Sequence, residues 1–156
     1  MKRKQPFTFD EFKNIYSKVP RLSVSLVIKT NKGILLILRQ KHGWANQWYL
    51  PGGTVFYQEP IGTTIRRIAQ EELGAKVNVE RFLGCIEYTS EAIERGFGYS
   101  ISLAFQCTLL DDRLDSEEPV EFFKKLPINT IREEKKLLTR VLKFKPISKD
   151  IVLAGS

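Results

Sequence analysis

The chain has only two cysteines, Cys85 and Cys107, in 156 residues. They are widely separated, fit no metal-ligand or redox spacing, and each lies in an apolar strand-like run. Both are expected as buried free thiols in a reducing compartment. The start, MKRKQPFTFDEF, has no apolar core of a secretory signal. No apolar run is long enough to span a bilayer, so no membrane partner is expected and the location expected is cytoplasmic. There is no arginine-rich run and no recognised nucleic-acid motif, which speaks against nucleic acid as a partner. Internal repeats and low-complexity linkers are also missing. The single histidine, His42, stands in a polar loop and is expected to be solvated.

What is present is the composition of an ordinary globular protein, 42% hydrophobic and 11% aromatic. A chain of this length fits one domain, here residues 1–156, and can bury a sizeable core. Lys plus Arg is 25 against 18 for Asp plus Glu, a net charge of +7. Part of the excess lies at the ends, in Lys2, Arg3, Lys4, Lys143, Lys145 and Lys149, and reads as solvated tails. The remaining body is mildly basic, which favours polyphosphate ligands through long-range attraction.

In chain order, Thr8 with Glu11 three residues on is a capping-box signature for a helix over about 8–18. Leu22 to Thr30 (LSVSLVIKT) reads as a strand, with Asn31-Lys32-Gly33 as its turn. Ile34 to Arg39 (ILLILR) is almost all apolar and predicts a strand buried on both faces, with Arg39 leaving it toward the loop before a glycine pair. Trp44 and Trp48 are expected to pack in the core, stacking on a base being the alternative. Lys76 to Tyr88 predicts a strand pair or one bent strand, with a bulge at Gly84. Ser90 to Gly98 reads as a loop, Tyr99 to Leu110 as a strand, Asp111 to Glu118 as an acidic loop, and Val120 to Phe123 as a short strand. Thr130 and Glu133 suggest a second capping box, opening a helix over about 131–142. Interspersed helices and strands imply an α/β fold with a mixed sheet and helices on its faces.

The chemistry concentrates in Gly52 to Gly74, GGTVFYQEPIGTTIRRIAQEELG. Wound as a helix at about 100° per residue, Ile61, Ile65, Ile68 and Ala69 form one stripe. Glu72 falls inside that stripe, roughly 20° from Ile65, and Glu71 sits on its flank. A carboxylate on the face a helix buries is costly unless a cation or donors meet it. Two adjacent acids beside a glycine loop, where the backbone can approach a ligand closely, suggest a divalent-metal site facing phosphates. A solvated helix face would explain the two acids equally well, and the wider spacing is what weighs against it.

That spacing is Gly53, five residues, Glu59, seven residues, Arg67, then Glu71, Glu72, one residue and Gly74. It resembles the Nudix box at every fixed position but one, Ile68, where the pattern has glutamate. The resemblance implies an α/β/α sandwich on a mixed sheet, and hydrolysis of a small-molecule nucleoside diphosphate linked to another moiety, with magnesium or manganese. It implies that Glu71 and Glu72 ligate metal with the carbonyl of Gly52 or Gly53, and that Glu59 and Arg67 pair to hold loop against helix. Isoleucine at position 68 can neither bind metal nor act as a base, which implies fewer cations. Glu117, Glu118 or Glu121 could supply a base from the far loop, and the catalytic residues expected are Glu72 and Glu118.

The chain also resembles the GDP-mannose mannosyl hydrolases, which carry an apolar residue at the same place in the box. They begin with a similar helix and a proline-containing link, compare Asp10-Glu11-Phe12 and Pro20 to Ser23. Their pattern has an arginine where Arg39 stands, implying a contact with the diphosphate. Their late loop holds a histidine base, whereas Ser116 to Glu121 has none, so attack at phosphorus and at carbon both stay open. Three readings follow: a nucleotide-sugar hydrolase, a Nudix-fold nucleotide binder that is catalytically weak or inactive, and, more weakly, an RNA-binding or decapping protein. The extra N-terminal helix could pack on a second copy as a homodimer.

Overall fold

The computed structural model describes residues 6–143. Four helices, α1 (Phe9–Tyr16), α2 (Ile61–Leu73), α3 (Glu91–Arg95) and α4 (Arg132–Lys143), accompany seven strands. The strands are β1 (Arg21–Thr30), β2 (Gly33–Leu38), β3 (Trp48–Tyr49), β4 (Gly52–Thr54), β5 (Val77–Tyr88), β6 (Ser100–Leu109) and β7 (Val120–Phe123). The basic ends formed by Lys2, Arg3, Lys4, Lys145 and Lys149 lie outside the described residues. None of the described helices is long and apolar enough to cross a membrane.

Strand β1 is the axis. It runs parallel to β6 from Arg21 opposite Ser100 to Ile28 opposite Cys107, and β5 continues the sheet antiparallel to β6. The opposite edge of β1 is shared: Ser23 to Ser25 pair with β4, and Lys29 and Thr30 pair with β2, which carries β3 and β7. The glycine pair is thus inserted beside the middle of the molecule by ladder hydrogen bonds.

Side chains alternate along a strand, so β1 feeds two cores. Val24, Leu26 and Ile28 pack with Ile65, Ile68, Ala69 and Leu73 of α2. Val27 belongs to a second cluster with Ala104 and with Leu137 and Leu138 of α4. In β2, Leu35 and Ile37 join the first cluster while Ile34 and Leu36 join the second, as expected for a strand covered on both faces. The result is an α/β/α sandwich on a mixed sheet. Burying a Leu, Ile or Val stabilises by about 1.5–3 kcal/mol each, so these clusters carry most of the fold.

Helix α1 starts with the capping box formed reciprocally by Thr8 and Glu11. It buries none of its own residues but sets the rings of Phe9 and Phe12 edge-on to Phe97. Strand β5 is a single bent strand, irregular between Val79 and Arg81 and between Phe82 and Gly84.

Three expectations are corrected. Cys85 is exposed, because it alternates with the buried Ile86 and points to the other face of β5; Cys107 is buried, and burial pushes its thiol up to about 12. Ser90 to Gly98 is not all loop but contains α3, whose first residue, Glu91, turns inward to meet two arginines. The second capping box does not form. The Thr130 hydroxyl donates to the Pro127 carbonyl, and Glu133 instead accepts from the Ser90 amide across the molecule.

Candidate metal and diphosphate site

The turn at Gly53 and the helix above it are fitted to each other. A Cβ at Gly53 would lie 2.3 Å from Cδ1 of Ile68, so glycine there lets the helix press against β4. At the other end Gly74 closes α2 with φ 59°, and a Cβ there would lie 2.8 Å from that of Asp115. Gly74 is therefore required by its backbone conformation and by the Asp115 backbone beside it, while a side chain at Gly53 would have to displace the Ile68 methyl.

Arg67 is the hub. Its guanidinium donates to both oxygens of Glu59 at 2.9 Å, to Glu71 Oε2 at 3.0 Å and to the Thr54 carbonyl at 2.7 Å. The Phe56 ring lies 3.9 Å beneath it. Burial alone would raise the Glu59 carboxyl, but the Arg67 and Thr64 hydrogen bonds outweigh it and hold the group at about 2. The loop is clamped to the helix, as the Glu59–Arg67 pairing requires.

Glu71 spends one oxygen on Arg67; its other, Oε1, is buried with no hydrogen-bond partner. Glu72 receives the Tyr49 hydroxyl at 3.5 Å. Burial, and next the Glu72 charge, raise the Tyr49 phenol far above its ordinary value, so Tyr49 stays a donor. Arg39 leaves β2 and is tied by its guanidinium to the carbonyls of Lys41 (3.2 Å) and His42 (3.3 Å). Its charge lies over the rings of Tyr49, 5.2 Å away, and Trp44, 5.5 Å away. No carboxylate forms an ion pair with it among the described residues.

These residues line one cleft of about 770 Å³, which gathers Arg39, Gly52, Gly53, Arg67, Ile68, Glu71, Glu72, Glu117 and Glu118. Glu118 brings a second buried carboxylate oxygen without a partner, Oε2. Glu121 does not join them, being exposed on β7 opposite Leu36. Glu59 and Gly74 support the site from behind. Of the aromatic pair, Trp48 packs on Phe123 and Trp44 is buried beside the cleft with its indole N–H on Ser90. His42 is exposed at the rim, its carbonyl anchoring Arg39.

Among the described residues, no three His, Cys, Asp or Glu side chains converge as a complete ion cage. The donor set still suits a hard cation, which prefers carboxylate oxygens and takes the rest of its shell from water and phosphate. Two dry, unpartnered carboxylate oxygens in one cleft are costly as they stand, and a cation, or water held beside one, is what would satisfy them.

The floor of the cleft holds a residue that sequence reasoning passed over. Glu134 of α4 is buried and accepts from the Leu50 amide at 2.7 Å and the Tyr88 hydroxyl at 2.7 Å. Burial raises its carboxyl to about 7 against those two hydrogen bonds. A signal for it existed: Glu134 precedes Leu137 and Leu138 by three and four residues, on the apolar stripe of its helix, as Glu72 does on α2.

The family model for the NUDIX domain matches residues 19–141. The chain belongs to the NUDIX family, as a Nudix hydrolase. It is 38% identical over 111 residues to the low-salt glycan biosynthesis protein Agl8 of Haloferax volcanii, covering 69% of this chain and 71% of that one. It is 31% identical over 80 residues to an 8-oxo-dGTP diphosphatase of Buchnera aphidicola, covering 51% and 62%. Among solved structures, a MutT NUDIX hydrolase from Burkholderia pseudomallei superposes with a TM-score of 0.61 at 23% identity, over 79% of this chain and 98% of that one. In this Nudix chain the acid missing from the box is replaced by Ile68, 2% exposed and wedged against Gly53.

Proposed function

We propose that this Nudix hydrolase cleaves a nucleoside diphosphate linked to another moiety, a nucleotide sugar such as GDP-mannose, with magnesium or manganese bound. The observation that carries the reading is the meeting, in one cleft, of the unpartnered Glu71 and Glu118 oxygens with the Arg39 guanidinium, which forms no ion pair with a carboxylate among the described residues. Acids call for a cation and the arginine for an anion, and a metal diphosphate is both. The name of the Haloferax relative, a glycan biosynthesis protein, supports a sugar as the linked moiety.

Glu71, Glu72 and the Gly52 carbonyl would hold the cation, which when bound neutralises charge on the leaving phosphate and polarises water. Arg39, propped on two rings, receives the diphosphate by fork-shaped hydrogen bonds. Glu118 Oε2 takes the proton of the attacking water. A panel of nucleotide sugars with magnesium or manganese in heavy-oxygen water tests this reading. Release of a nucleotide from at least one of them is expected, and the labelled product reports whether phosphorus or carbon is attacked. No turnover of any sugar nucleotide or nucleoside diphosphate derivative would overturn it.

A second reading, a nucleotide binder with little catalysis, is favoured by Ile68, a core residue where the box has an acid. Its packing makes a separate prediction. With metal chelated, Ile68→Glu puts an uncompensated charge into the core and is expected to cost about 3–5 kcal/mol in urea unfolding. Unchanged stability would show that a carboxylate at position 68 escapes the core into the cleft that Ile68 borders. Ligand-induced thermal stabilisation without product, at every metal concentration, would favour the second reading over the first.

A further inference from the structure

The cleft continues past the diphosphate region to an end built by α1, α3 and the start of β1. Glu91 lies there with its side chain 2% exposed. Its Oε1 is crowded, accepting from Arg95 at 3.1 Å and Ser100 Oγ at 2.9 Å, with Arg21 at 3.6 Å. Its Oε2 is buried with no partner at all. A carboxylate that gathers three donors on one oxygen and leaves the other dry is a poor structural clasp, since the unmet oxygen costs what a lost hydrogen bond costs. It is better suited to receiving a donor from a ligand.

The neighbours define what kind of ligand. Arg21 and Arg95 offer N–H donors, and both line the cleft. Two guanidiniums, Arg21 and Arg95, stand beside the single Glu91 carboxylate, and burial, then the Arg21 charge, push the Arg95 pKa below its ordinary value. Phe12 and Phe97 lie under the Arg95 guanidinium at 5.5 and 5.0 Å, and Phe9, 60% exposed, adds an apolar face at the cleft wall. Donors, a lone acceptor and ring faces together match a hydroxylated ring. Its hydroxyls both give and accept hydrogen bonds, and its C–H face packs on aromatic carbon.

The position is also suitable. Arg21 donates to Thr54 Oγ1 at 2.8 Å, and Thr54 follows Gly52 by two residues on β4. Two strand residues span roughly 7 Å, a short step from a bound phosphate to the ring it esterifies.

We infer that Glu91, Arg21, Arg95 and the Phe9–Phe12 face form the subsite for the glycosyl group of a nucleoside diphosphate sugar. The inference rests on the diphosphate reading of the neighbouring site and adds to it the place and chemistry of the linked moiety. Arg21 and Arg95 would donate to ring oxygens or hydroxyls, and Glu91 Oε2 would accept from one hydroxyl.

The test is isothermal titration, with metal chelated so that nothing is turned over, of GDP-mannose, UDP-glucose and ADP-glucose, each beside its parent nucleoside diphosphate. The wild-type chain is expected to bind at least one sugar nucleotide more tightly than its parent. Arg95→Lys, which keeps the charge but loses the planar fork, should weaken that sugar nucleotide about tenfold and its parent diphosphate less than about twofold. Phe9→Ala, an exposed position where misfolding is not a concern, should act in the same direction. Equal loss for sugar nucleotide and parent in both variants, or no loss for either, overturns the subsite. Parents bound as well as every sugar nucleotide would also overturn it, leaving the diphosphate reading intact. Failure to bind any of the six compounds with the metal chelated would overturn the subsite, while the metal-dependent diphosphate reading is decided separately by the turnover panel.

Discussion

Glu72→Gln is expected to lower metal-dependent kcat by on the order of a hundredfold or more while leaving the fold intact. The substitution keeps the shape of the side chain and its ability to accept from Tyr49, so packing on α2 is preserved. It removes the negative charge that a hard cation needs, and with it the neutralisation of the leaving phosphate. Glu71 cannot compensate, because one of its oxygens is engaged by Arg67. The measurement is turnover against magnesium or manganese concentration, together with Tm. A right-shifted metal curve with unchanged Tm is expected at minimum. Full activity at low metal would show that Glu72 is not a ligand.

Arg67→Ala should lower stability strongly. The guanidinium touches two carboxylates and a backbone carbonyl and covers a ring, and the side chain of Glu59 is only 3% exposed. Removing the cation leaves that carboxylate buried and uncompensated, a loss of about 3–5 kcal/mol. For a domain of this size that lowers Tm by roughly 10 °C. The acid limb of stability should change as well. The Glu59 carboxyl is held at about 2 against its ordinary value of 4.5, so in the wild type its contribution is present above pH 4.5 and is lost as pH falls toward 2. In Arg67→Ala that limb should flatten. Urea midpoints measured in steps from pH 5 to 2 decide the matter, and an acid limb identical to the wild type would show that Glu59 draws its stabilisation from elsewhere.

The two helix-bound acids illustrate how much of the site was legible. Glu72 could be read because its helix is short, regular and bounded by a proline and a glycine, so angular position follows from number alone. Arg39 could be read as leaving an apolar strand. That Arg39 would rest on Tyr49 and Trp44 could not, since those residues come from a strand and a loop that meet only when β3 pairs with β2. Cys85 was misjudged because an apolar run does not say which face of a bent strand will be covered, and two irregularities in β5 intervene. The predicted Thr130–Glu133 cap failed for a related reason. Local capping competed with a distant donor, the Ser90 amide, and the tertiary contact won.

By itself the sequence determined the order of elements, the core-facing stripes of α2 and β2, the glycines that close the box and the acids it carries. All of these follow from local periodicity and local backbone preference. Only the tertiary structure decided which acids share a cleft, that Glu121 turns away while Glu118 turns in, and that Glu134 and Glu91 lie buried beside it. Those outcomes depend on contacts between segments far apart in the chain, where burial and the nearest charge, rather than spacing, set what each carboxylate can do.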